Sequence, residues 1–144
     1  MFLKFSKSNL GFKEKPKKSE IAQIQIHGFE TAVSSIEDLI KHIEEGKSYL
    51  LPAFSGLPKT PSAEDFILQN TFAVDIDGGL SLEEAKEILE EYNLSFNFGY
   101  YTFNHDEFGE PRYRLIFMLD GDVRDQELAV DVNRAFQTLF SKKV

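Results

Sequence analysis

The sequence predicts an α+β fold: a β-α-β-β-α unit of the ferredoxin-like kind, short of its last strand, follows a smaller β-α-β segment. Two observations carry this. Short apolar runs alternate with period two and stop at Gly, Pro, Asn or Asp, while longer runs repeat apolar residues at three- and four-residue spacing. The 144 residues, 42% of them hydrophobic and 14 of them phenylalanine, suit a packed core and not a disordered chain.

Residues 1–18 read as a basic arm, because six lysines stand there against Glu14 alone. The net charge of +5 leaves −13 for the rest of a chain whose total is −8. Lys13, Lys15, Lys17 and Lys18 are the arm's candidates for contact with nucleic-acid phosphates, although short lysine-rich starts are commonly just solvated. Residues 19–144 then form one domain. Its first part alternates Ile21, Gln23, Gln25 and His27 against Ala22, Ile24 and Ile26, which predicts a strand over 20–29. Ser34 and Glu37 predict a capping box, Leu39, Ile40 and Ile43 the stripe of the helix that follows, and Gly46 its end. A second strand is expected over 49–54, before a loop marked by Pro52, Gly56, Pro58 and Pro61.

Residues 71–140 carry the longer unit. A strand over 71–77 leads to a helix capped by Ser81 and Glu84, with Leu82, Ala85, Ile88, Leu89 and Tyr92 on one face. A strand over 95–102, a polar turn over 104–111 and a strand over 113–119 precede a helix over 124–140. Leu128, Val132, Ala135, Phe136 and Leu139 are its expected inward side. A complete ferredoxin-like unit needs one more strand, so either an earlier strand fills that edge or the chain is part of a longer protein.

The absence of cysteine leaves oxygen and imidazole as the only strong metal ligands. No apolar stretch is long enough to cross a bilayer, and Met1-Phe2-Leu3-Lys4 does not open a secretion signal, so a cytoplasmic protein without membrane contact is expected.

The chemistry concentrates in three places. In Phe72-Ala73-Val74-Asp75-Ile76-Asp77-Gly78-Gly79, strand alternation sends Asp75 and Asp77 to one face, roughly 6 to 7 Å apart. Two carboxylates closing to about 4 Å repel by about 4 kcal/mol at an effective dielectric of about 20, and a divalent cation removes that repulsion. The plainer reading is an exposed Asp75 and an Asp77 that opens an Asp-Gly turn. His105 lies on the hairpin after Tyr101-Thr102-Phe103-Asn104, where imidazole binds a metal or donates to phosphate. The alternative is an ordinary surface histidine. Arg112 and Arg114, spaced by two on the next strand, offer paired guanidiniums to a polyanion, or else two cross-strand salt bridges.

These three stretches, together with Phe66-Ile67-Leu68-Gln69-Asn70-Thr71 and Leu115-Ile116-Phe117-Met118-Leu119-Asp120, resemble the archaeo-eukaryotic primase superfamily. The likeness is to the primase-polymerase domains of phages and plasmids, and it spans residues 21–140. It implies a primase-like fold with a ferredoxin/RRM-like unit. It implies Asp75, Asp77 and His105 as catalytic residues, the two aspartates binding Mg2+ or Mn2+. Thr102, Asn104, His105, Arg112 and Arg114 then become nucleotide contacts. The implied partners are nucleoside triphosphates, a single-stranded DNA template, and a helicase or replication-initiator module on this chain or another.

Two departures qualify the likeness. Phe103 and Asn104 stand where the family has a hydroxyl just before its histidine, and no third acidic motif follows the last helix. Asp120 and Asp122 lie at the far end of their strand, about 26 and 33 Å from Arg112 at about 3.3 Å per residue. The expected function is therefore metal-dependent nucleotide binding and nucleotidyl transfer, incomplete for catalysis in this chain. Two other readings stay open: a non-catalytic primase-like binding or regulatory protein, and an acidic inhibitor of a DNA-binding host protein. Nucleotide affinity separates the first reading from the inhibitor.

Overall fold

The computed structural model describes residues 2–55, 62–103, 105 and 109–141. They form a mixed α+β structure with two antiparallel sheets and four α-helices, and divide into two compact units. One unit comprises Met1–Thr71 with Leu119–Gln126, the other Phe72–Met118 with Glu127–Val144.

In the first unit, β1 (Leu3–Gly11) is the central strand of a three-stranded sheet, between β2 (Glu30–Ser34) and β3 (Lys47–Leu50). The start of the expected basic arm is thus a core strand. Leu3, Phe5 and Ser6 are buried, and Lys4 and Lys7 meet Asp122 at 2.8 Å and Glu30 at 3.8 Å. A count of lysines hid the alternation of Leu3 and Phe5 between them. Residues 18–27, expected as a strand, form helix α1 (Lys18–His27). The Glu20 carboxylate accepts the Lys17 N–H at 3.0 Å, and Gly28 closes the other end at φ 72° with its N–H on the Ile24 carbonyl. End signals of this kind outweigh a Gln-Ile alternation that also places Ile21 and Ile24 one helical turn apart.

Helix α2 (Ile36–Glu44) starts one residue later than expected: Ser35, not Ser34, is the N-cap, its hydroxyl accepting the Asp38 N–H at 3.2 Å. Gly46, at φ 73°, does end it. The strand expected over 49–54 is split, since Leu51 and Pro52 bend the chain between β3 and the two-residue β4 (Ala53–Phe54). Proline brings no ladder N–H. Gly56, Pro58 and Pro61 of the expected loop lie outside the described residues. β4 pairs with Phe66 and Leu68 at the start of β5 (Phe66–Asp77), so an earlier strand takes that edge, but over two residues only.

The second unit is built on the later part of β5, β6 (Phe98–Tyr101) and β7 (Arg112–Val123), with β7 between the other two. One face of this sheet carries Val74, Ile76, Tyr113, Leu115 and Phe117. They pack with Leu80, with Ala85, Ile88 and Leu89 of α3 (Leu82–Glu91), and with Phe140 of α4 (Gln126–Ser141). Each such large side chain contributes about 1.5–3 kcal/mol when fully buried. Phe136 stacks on Phe117 at 4.5 Å between ring centres. The capping box of α3 forms as expected, with Ser81 Oγ accepting from Glu84 N and Glu84 Oε1 from Ser81 N. Three expected core positions do not hold. Tyr92, which ends α3, and Leu128 and Ala135 of α4 are exposed. Phe136 and Leu139 keep their expected inward place and pack on the core with Phe140, while Ala129 is buried where Leu128 was expected. Among the described residues, no helix is long and apolar enough to cross a membrane.

Candidate functional site

Alternation in β5 buries Val74 and Ile76 against the helices and turns Asp75 and Asp77 outward. The same rule in β7 buries Tyr113 and Leu115 and turns Arg112 and Arg114 to the outer face. The two strands meet there in consecutive rungs. Arg114 binds Asp75 through Nε at 2.5 Å and Nη2 at 3.0 Å, and Arg112 Nη1 lies 3.8 Å from Asp77 Oδ1. From β6, Tyr100 stands opposite Arg114, while Thr102 bonds the Arg112 carbonyl through N at 3.0 Å and Oγ1 at 3.4 Å. Four of the expected charged residues thus share one end of one sheet face.

His105 joins them from the hairpin. Its Nδ1 accepts the backbone N–H of Arg112 at 3.3 Å, and its ring stacks on Tyr101 at 3.9 Å between centres. With Nδ1 used as acceptor, the ring proton sits on Nε2, a donor suited to an anion. The Nε of Arg112 is buried and has no hydrogen-bond partner among the described residues. Asn104 lies outside the described residues.

Beside the carboxylates, along the β5 edge, a cleft of about 400 Å3 is lined by Asp75, Asp77, Gly78, Gln137, Phe140 and Ser141. Gln137 Nε2 donates to the Asp75 carbonyl at 3.4 Å. A second residue of interest is Glu110, whose Oε2 accepts the Gly79 N–H at 2.9 Å. Sequence reasoning missed both, since each acts on backbone. The available signal for Glu110 was its place two residues before Arg112, matching Gly79 two after Asp77. On the core side, the Tyr113 hydroxyl donates to the carbonyls of Leu80 and Ser81, each at 3.0 Å. Burial first, then Glu84 and Glu83, pushes its pKa up to about 12.

Other expected residues are not brought here. Lys13, Lys15, Lys17 and Lys18 are exposed in and just after the loop that follows β1, in the first unit. Asp122 also belongs to that unit, paired with Lys4 and Arg124. A larger cleft, of about 490 Å3, lies in the first unit beside β1, β2 and α2. None of the residues expected to carry chemistry lines it, whereas Asp75 and Asp77 line the smaller cleft, which is therefore the better candidate. Among the described residues, no group of three or more His, Asp or Glu side chains is placed to hold a metal ion. Comparison with protein-family models, with curated proteins and with solved structures finds no match to this chain.

Proposed function

We propose that this chain is a primase-polymerase-like domain of a mobile-element replication protein, which binds a nucleoside triphosphate with Mg2+ or Mn2+ on the outer face of β5 and β7. The observation that carries the reading is the pair of rungs, Asp75 with Arg114 and Asp77 with Arg112, closed by His105 on the Arg112 backbone. Carboxylates are the hard oxygen donors that Mg2+ takes, and guanidinium and imidazole N–H groups are phosphate partners. Asp75 and Asp77 fit an ion of this kind because both leave the strand on one face and stay 48% and 75% exposed. They would hold it while it kept several waters. The ion would supply neutralisation of phosphate charge. Arg112, Arg114 and the Nε2–H of His105 would bind the polyphosphate, with Thr102 beside them. With two acidic ligands and no third among the described residues, the chain would bind nucleotide and transfer poorly. Lys13, Lys15, Lys17 and Lys18 would meet single-stranded template through phosphates, with strong salt dependence.

Calorimetry with ATP and Mn2+ tests the reading. Asp75→Asn with Asp77→Asn should abolish metal-dependent binding, and wild-type affinity in the double variant would reject the proposal. One observation favours a second reading, a primase-like protein that binds without catalysis: Arg114 already engages both oxygens of Asp75. Under that reading, nucleotide affinity is indifferent to Mn2+.

A further inference from the structure

We propose that Glu110 is a positioning residue of this site, fixing where Asp77 stands; the inference rests on the metal-nucleotide reading of Asp75 and Asp77. The two-residue spacing of the side-chain contacts between β5 and β7 continues past the strand ends. Asp75 meets Arg114, Asp77 meets Arg112, and Gly79 meets Glu110, each step two residues along both chains. On the third rung the roles reverse, since the carboxylate now comes from the β7 side and accepts a backbone N–H. A Cβ on Gly78 would press against the Glu110 carboxylate, which would have to move away to make room. Gly78 and Gly79 also hold φ of 100° and 77°, in the region that L side chains avoid. On the core side, Tyr113 holds the carbonyls of Leu80 and Ser81. The turn is therefore clasped from two directions, by Glu110 and by Tyr113. Asp77 is the last residue of β5, 75% exposed, and meets Arg112 only at 3.8 Å. Its placement follows the turn, and Glu110 holds the outer side of that turn.

The test is calorimetry of the full chain with MnCl2 and ATP, alongside melting curves and the exchange rate of the Gly79 amide. Glu110→Ala should weaken Mn2+-dependent ATP binding by about tenfold, as loss of an outer support does at metal sites, with fold stability kept. Glu110→Gln retains an oxygen acceptor without charge, and should restore both affinity and slow Gly79 exchange. Gly78→Ala should reproduce Glu110→Ala. Wild-type affinity in Glu110→Ala overturns the proposal. So does a Glu110→Gln variant as weak as Glu110→Ala, which would make the carboxylate a direct partner of the cation. Asp77→Asn separates the two levels. If it abolishes binding while Glu110→Ala changes nothing, only the role of Glu110 falls. If the wild type shows no Mn2+-dependent ATP binding, the site reading fails and this inference with it.

Discussion

Arg114 reaches across from β7 and lays Nε and Nη2 on the two carboxylate oxygens of Asp75, at 2.5 and 3.0 Å. A fork of this kind fixes direction as well as charge, and lysine cannot reproduce it. It also occupies the oxygens that a cation needs. Arg114→Ala should therefore tighten Mn2+ binding in the absence of nucleotide, yet weaken Mn2+-ATP binding by about tenfold through loss of a phosphate partner. Arg114→Lys should fall between. The pair is partly exposed, so unfolding stability should change by no more than about 1 kcal/mol. Calorimetry with and without ATP checks the opposite signs, and a uniform change in both titrations would refute the shared role.

The residues that sequence made legible are those whose partners depend only on strand alternation. Asp75, Asp77, Arg112 and Arg114 share a face because each pair is spaced by two, and Ser81 with Glu84 caps α3 because both partners lie within one turn. Glu110 and Gln137 were not legible, since their partners are the Gly79 N–H and the Asp75 carbonyl, placed by register and helix docking and not by residue type. In the first unit, residues 18–27 read as an alternating strand, and burial of Ile24 with the end signals at Glu20 and Gly28 chose the helix against that pattern. Lysine content concealed β1, where Lys4 and Lys7 find acidic partners at the sheet.

Asn70 holds β1 in the first unit through its side chain. Its Oδ1 accepts the Lys4 N–H at 3.1 Å and its Nδ2 donates to the Phe2 carbonyl at 2.9 Å, both from a buried position on β5. Asn70→Leu would remove one donor and one acceptor that two backbone groups require. A loss of about 2–4 kcal/mol in unfolding free energy is expected. Urea denaturation measures it, and a loss under about 1 kcal/mol would show that β1 finds other partners.

Tyr113 gives a signature at high pH. Its phenol is buried and donates to two carbonyls, so the neutral form is favoured in the folded state and its pKa rises from 10.0 to about 12. Between these values the unfolded chain releases a proton that the native state retains, so this contribution is present below pH 10 and is lost as pH rises through about 12. The full loss is about 2–3 kcal/mol. Tyr113→Phe should be less stable at pH 8 but flatter between pH 9 and 11. Parallel curves for the two proteins would refute the assignment.

His42 gives the opposite signature in mild acid. Its Nε2 donates to the Ser48 carbonyl at 2.9 Å from a buried position on α2. Burial is the main cause that holds its pKa below the ordinary 6.5; Lys47 and Lys7 push the same way, while the Ser48 bond and Glu45 oppose them. The unfolded chain therefore takes up a proton near pH 6.5 that the native state declines, and the unfolded form gains relative stability as pH falls. This contribution is whole above pH 6.5 and disappears as pH drops through the folded value. The Lys47 bond to Glu45 acts in a lower window, since the carboxyl is held below its usual 4.5 and its contribution persists until more acidic pH. His42→Gln keeps a donor for Ser48 but does not titrate. Urea unfolding of both proteins from pH 7.5 to 5.5 should show the wild type losing stability faster. Equal slopes over that range would mean that the imidazole is protonated in the folded chain as readily as in the unfolded one.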